Sequence, residues 1–173
     1  SDKTISAYRK AIELNPHWRI FFDLGRTLEY TNQFEDAIIA YKESIALIEE
    51  VPRAVYYHLG SVYCKAKQYS KAIVPLQNSN KIKENYRAYR ELGWALLNLK
   101  DYKAAKLAFK KSIAMNKHWS SYRGLGNVMF KLGKYSKAKK AIKKSARLEK
   151  AKNGVAFCNL GWFLYRWRLE IIK

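Results

Sequence analysis

The chain has 173 residues, 49% of them apolar and 14% aromatic, with a formal net charge of +20. That length allows a sizeable core, and no run approaches the roughly 18 apolar residues of a membrane helix. The charge is lopsided: residues 1–86 hold 12 Lys plus Arg against 10 Asp plus Glu, whereas residues 87–173 hold 22 against 4, so an acidic partner is expected on the C-terminal half.

The first predicted helix lies around Ile5–Ile12, carries Tyr8 and Ala11, and stops at Asn15-Pro16. In 18–51, Phe21, Leu24, Gly25 and Leu28 share one helix face at about 100° per residue. Thr31-Asn32-Gln33 reads as a turn, and Phe34, Ala37, Tyr41 and Ser44 mark a second helix. Unit 53–85 repeats the order with Tyr56, Leu59-Gly60 and Tyr63, then Tyr69, Ala72, Leu76 and Ser79. Its Pro75 removes one amide donor close to the helix start, so a bend is expected and not a break. Unit 86–118 gives Tyr89, Leu92-Gly93 and Leu96, a turn at Lys100-Asp101, then Tyr102, Ala105, Phe109 and Ser112. Unit 119–152 gives Tyr122, Leu125-Gly126 and Met129, a turn at Gly133-Lys134, then Tyr135, Ala138, Ile142 and Ser145. Residues 154–173 begin another first helix with Phe157, Leu160-Gly161 and Leu164, followed by only Leu169–Lys173.

Successive glycines of the Leu-Gly pairs are 35, 33, 33 and 35 residues apart. A period in that range marks a stacked array in which each unit buries its apolar face against its neighbours. The expected fold is all-α: a superhelical solenoid of helix-turn-helix repeats, counted as one domain over 1–173, with 1–17 as a lone second helix. A mid-helix glycine costs about 1 kcal/mol relative to alanine. Its expected compensation is close approach of the second helix, with the alanine twelve residues on as the small partner. The serine nineteen residues on is expected to bond back to a carbonyl one turn earlier.

These landmarks resemble the tetratricopeptide repeat (TPR) family over nearly the whole chain, and Asn15-Pro16 matches the family's inter-repeat turn. Serine in place of the usual alanine in each second helix is a departure, as is the single junction with proline in its usual place. The resemblance implies that first helices line a concave binding groove. Offsets −6, −3, +1, +4 and +5 from each glycine form the helix stripe that would face it. That stripe carries Arg19, Phe22, Arg26, Tyr57, Arg87, Arg90, Trp94, Arg123, Asn127, Trp162 and Arg166. In all it has one acid, Glu29, against eight bases and seven aromatics. Six of ten arginines lie there but only two of 24 lysines. Arginine gives a bidentate fork for carboxylates and stacks on rings, so the groove is expected to take an acidic peptide or protein segment. By resemblance to TPR domains that clamp terminal carboxylates, Arg123, Asn127 and Asn159 would hold such a group.

The expected function is a non-catalytic protein–protein interaction scaffold. His17 and His118 sit at repeat junctions, and His58 has no acid or cysteine at a triad spacing. No metal-ligand cluster is evident, and no cofactor is expected. Two alternatives remain: a repeat arm resembling those that precede glycosyltransferase or sulfotransferase domains, and nucleic-acid binding through the basic C-terminal half. The lysine run Lys137–Lys144 reads as a solvated face or as a patch for nucleic acid or anionic lipid. Cys64 and Cys158 lie too far apart to pair, which suits the expected cytoplasmic location. The last helix, ending in exposed aromatics, is expected to be covered by downstream chain or by a second copy.

Overall fold

The computed structural model describes residues 2–153, with side chains through Glu149. Among these residues there are nine helices and no strand: α1 (Asp2–Leu14), α2 (Trp18–Tyr30), α3 (Phe34–Ala46), α4 (Arg53–Lys65), α5 (Tyr69–Ile82), α6 (Tyr86–Asn98), α7 (Tyr102–Met115), α8 (Trp119–Lys131) and α9 (Tyr135–Asn153). Pro75 lies inside α5, which continues past it to Ile82. The expected uncapped last helix, with Cys158, Asn159, Trp162 and Arg166, lies outside the described residues.

Helix ends follow local chemistry. Within each full repeat the turn between helices contains one left-handed residue seven positions after the glycine: Asn32, Lys67, Lys100 and Gly133, with φ from 59° to 69°. The next amide then reaches back to a carbonyl of the first helix, as in Gln33 N–H to Leu28 O at 2.9 Å and Asp101 N–H to Leu96 O at 3.0 Å, satisfying carbonyls that the helix end leaves orphaned. His17 and His118 cap helix starts: their Nδ1 atoms accept from the Arg19 and Ser120 amides. The junction histidines thus have a hydrogen-bonding role beyond packing.

Each first helix packs on its own second helix, and each second helix packs on the next first helix. First helices also meet along the stack, α2 with α4, α4 with α6 and α6 with α8, while no contact joins two second helices among the described residues. The first helices therefore form the tighter, inner layer, and the array curves around them.

The glycines admit a different neighbour from the one expected. A Cβ at Gly60 would lie 2.5 Å from Leu76 Cγ, and one at Gly93 would lie 2.7 Å from Phe109 Cε1. The bulky residue sixteen positions on, and not the alanine twelve on, occupies the space of the missing side chain. Tyr41, Leu76 and Phe109 are fully buried in these seats, each stabilising the pair by about 1.5–3 kcal/mol through burial. The serines also depart from expectation. Ser112 Oγ donates to Tyr86 O at 2.9 Å and Ser145 Oγ to Trp119 O at 2.8 Å, tying each second helix to the first residue of its own first helix. Ser44 and Ser79, equally buried, have no protein partner at Oγ.

Candidate functional site

The inner layer carries the expected arginine-aromatic stripe, and a neighbouring column two residues before each glycine completes the groove: Asp23, His58, Glu91 and Gly124. At about 100° per residue this column sits only ~20° beyond the stripe's edge. It supplies acids that the stripe alone lacks.

In the first two repeats the groove neutralises itself. Glu29 is 8% exposed and receives Tyr41 Oη at 2.8 Å, His58 Nδ1 at 3.1 Å and Lys65 Nζ at 3.0 Å. Burial alone pushes its carboxyl up, but these three partners outweigh it and hold the group at about 2. The same burial and the adjacent carboxylate drive the Tyr41 hydroxyl upward. His58 therefore does have an acid, contributed by the preceding repeat. Phe22 packs on Tyr41 and edge-on to His58, with Arg26 5.9 Å from its ring. Arg26 itself pairs with Asp23 at 3.8 Å, and Tyr57 stacks edge-on to His58. Arg19 is exposed.

At the centre, Arg87 is exposed and leans on Tyr86, with Nε donating to the phenol at 3.1 Å. Arg90 donates to Glu91 Oε1 through Nε at 3.3 Å and Nη2 at 3.0 Å, an internal partner in the column the stripe omits. Cys64 is half-buried, and burial pushes its thiol up to about 12, which removes thiolate character.

The fourth repeat differs. Arg123 lies between two indoles, its guanidinium carbon 5.2 Å from the Trp94 ring and 4.9 Å from the Trp119 ring. Trp94 is held by Nε1 donating to Ser120 Oγ at 3.2 Å and by an edge contact with Phe109. Burial lowers the Arg123 pKa, its Nε has no hydrogen-bond partner, and no described carboxylate lies within ion-pair distance. The cause is steric. A Cβ at Gly124 would overlap the Phe109 ring, so the column that gives an acid beside Arg26 and Arg90 gives none here. A recess of about 430 Å3 opens beside Trp94, Trp119, Ser120 and Arg123, with the Arg90–Glu91 pair on its other side. Asn127 is half-buried one turn further along α8.

Glu91, Asp23 and Trp119 lie outside the stripe expected from the sequence. Trp119 was legible only as a junction aromatic. Among the described residues no group of three or more His, Cys, Asp or Glu is placed to hold a metal ion, and no helix is long and apolar enough to cross a membrane.

Comparison with known proteins places this geometry. Two family models described as tetratricopeptide repeat match residues 3–55 and 86–118. No curated protein matches the sequence. Among solved structures, MamA is 26% identical with a TM-score of 0.79, covering 86% of this chain and 88% of that one. MamA from Desulfovibrio magneticus RS-1, from residue 41 onward, is 17% identical, with a TM-score of 0.80 over 88% and 87%. YrrB, a TPR protein with an unusual peptide-binding site, is 18% identical, with a TM-score of 0.78 over 90% and 80%. The last two likenesses concern the fold alone. The repeated Leu-Gly landmarks, the paired helices and both family matches agree: this chain belongs to the tetratricopeptide repeat family.

Proposed function

We propose that the protein is an interaction scaffold whose inner groove holds an extended acidic peptide segment, with Arg123 as the anchor. The observation that carries this reading is the unpaired guanidinium held between Trp94 and Trp119. Stacking fixes its plane, and partial burial strengthens its attraction for a carboxylate. Arg87 and Arg19, both exposed, extend the attraction along the groove. Arg26 and Arg90 contribute less, because Asp23 and Glu91 already occupy them. The peptide-binding site described for YrrB is a property of that protein, but it supports the same use of the same fold here.

A screen of acidic peptides at two salt concentrations supplies the ligand. Titration of the variants then tests the anchor. Arg123→Ala costs about 1.5–3 kcal/mol of binding, as for loss of a charge-assisted bond, and Arg90→Ala costs less than about 0.5 kcal/mol. Equal losses at both positions mean that general charge, and not the indole-held arginine, drives binding.

A further inference from the structure

The convex side also carries a recess. A cleft of about 450 Å3 opens between α5 and α7. Its floor is the back of α6, through Leu92 and Leu96. Leu107 and Ala108 form one wall, and Asn80 and Lys81 the other. Leu107 is 59% exposed at its lip.

Two breaks in the repeat pattern make this cleft. Eleven residues after each glycine stand Asp36, Lys71, Ala104 and Lys137. Only the third repeat puts a small apolar residue there, and Ala104 lines the recess. Twenty residues after each glycine stand Ile45, Asn80, Ile113 and Ala146. Only the second repeat is polar at this place. Asn80 is 9% exposed. Its Oδ1 accepts from the Asn85 amide at 3.0 Å, but its Nδ2 has no acceptor. A buried donor left without a partner costs stability, so the wall on this side of the recess is polar and under-satisfied.

The surroundings set the charge of that occupant. In the outer layer α3 has three acids and one lysine, α5 two lysines and no acid, and α7 four lysines and no acid. Lys81 stands at the cleft with no ion pair among the described residues. Lys111, on the opposite side, rests on Tyr89, with Nζ 5.0 Å from the ring centroid, and pairs with Glu84 at 3.9 Å, so Lys81 is the cation left for a ligand.

We propose that this convex cleft is a second docking site, taking an acidic amphipathic peptide segment that inserts a large aliphatic side chain beside Leu107 and sets its acids against the lysines of α5 and α7. It is independent of the inner groove. A flat bilayer would meet the lysines but could not reach the floor, and a nucleic acid has no aliphatic side chain to fill it. An amphipathic helix laid in a groove satisfies both the apolar floor and the basic rim.

Fluorescence anisotropy on the full chain tests this. The probe is a fluorescein-labelled helical peptide with leucines on one face and glutamates on the other. Vesicles of phosphatidylcholine and phosphatidylserine, and an oligothymidine strand, serve as competitors. Binding is measured in the Arg123→Ala background, which removes the inner-groove anchor, and the expected result is residual peptide binding that falls about tenfold, or ~1.4 kcal/mol, when Leu107→Glu or Lys81→Glu is added. Leu107 and Lys81 are exposed, so these changes leave the core intact; Leu107→Ala gives the same direction without adding charge. In that background, binding unchanged by the Leu107 variants, no peptide binding, or displacement of the peptide by vesicles or oligothymidine would each overturn the proposal.

Discussion

The first two repeats and the fourth use the same landmarks but treat their polar groups in different ways. In the first two, the groove cations apart from the exposed Arg19 are spent internally: Arg26 on Asp23, and His58 and Lys65 on Glu29. Their outer serines, Ser44 and Ser79, are left without partners. Further along, Ser112 and Ser145 are bonded; Arg90 of the third repeat is still paired with Glu91, but the fourth keeps an arginine with no described carboxylate within ion-pair distance. An internally satisfied groove is a structural element, whereas an unsatisfied one retains interaction energy for a ligand. The lack of an acid at position 124 traces to one steric fact, the Phe109 ring in the space a side chain there would need.

The most damaging way to break this contrast is Gly124→Ala. The new Cβ overlaps Phe109, which also fills the seat at Gly93, so no free volume absorbs it. Urea denaturation should show a loss of about 3 kcal/mol.

Next in size is the acid-side behaviour of Glu29. Its carboxyl titrates near 2 when folded against an ordinary value of 4.5. A depressed folded value means the contribution is complete above pH 4.5 and is lost as pH falls from 4.5 towards 2. The difference corresponds to about 3 kcal/mol. Thermal melts of Glu29→Gln and the parent chain should converge as the pH falls through that window, and parallel curves would refute the buried network.

The serine contrast predicts opposite signs at equivalent positions. Ser79→Ala removes an unpaired buried hydroxyl and should raise stability by about 1 kcal/mol, while Ser112→Ala should lower it by about 1 kcal/mol. The midpoint shift in urea gives both signs directly.

The smallest effect sharpens the groove itself. Glu91→Gln releases Arg90 from its carboxylate and makes the third repeat resemble the fourth. Affinity for an acidic peptide should rise by about 0.5–1 kcal/mol, as for one partly exposed ion pair gained, read by isothermal titration.

The array was legible because its signals are covariant with position. Leu24-Gly25 and its four copies set the period, and the aromatic, alanine and bulky columns fixed which faces meet. What fills the glycine seats was not legible, since Ala37 and Tyr41 both lie on the facing side of their helix and only the packing chooses between them. The arginines share one helix stripe in the sequence, but which of them are already paired is hidden there. Glu91 and Asp23 fall just past the stripe's edge, and whether a neighbouring column joins a groove depends on helix rotation in the stack. The Glu29–His58 bond joins residues 29 positions apart, a separation no single-repeat pattern reports.

The graded charge of the outer layer has an effect at a distance. From α3, with three acids and one lysine, the balance shifts to six bases and one acid over residues 135–149. The molecule is therefore an electric dipole along its long axis as well as a cation. Such a body rotates in the field of an anion before contact, presenting its basic end first. Over roughly 8–10 Å at physiological salt this torque is screened away; inside that range it biases which encounters are productive and so raises the association rate. The order of the repeats along the chain thus sets the direction from which a charged partner arrives.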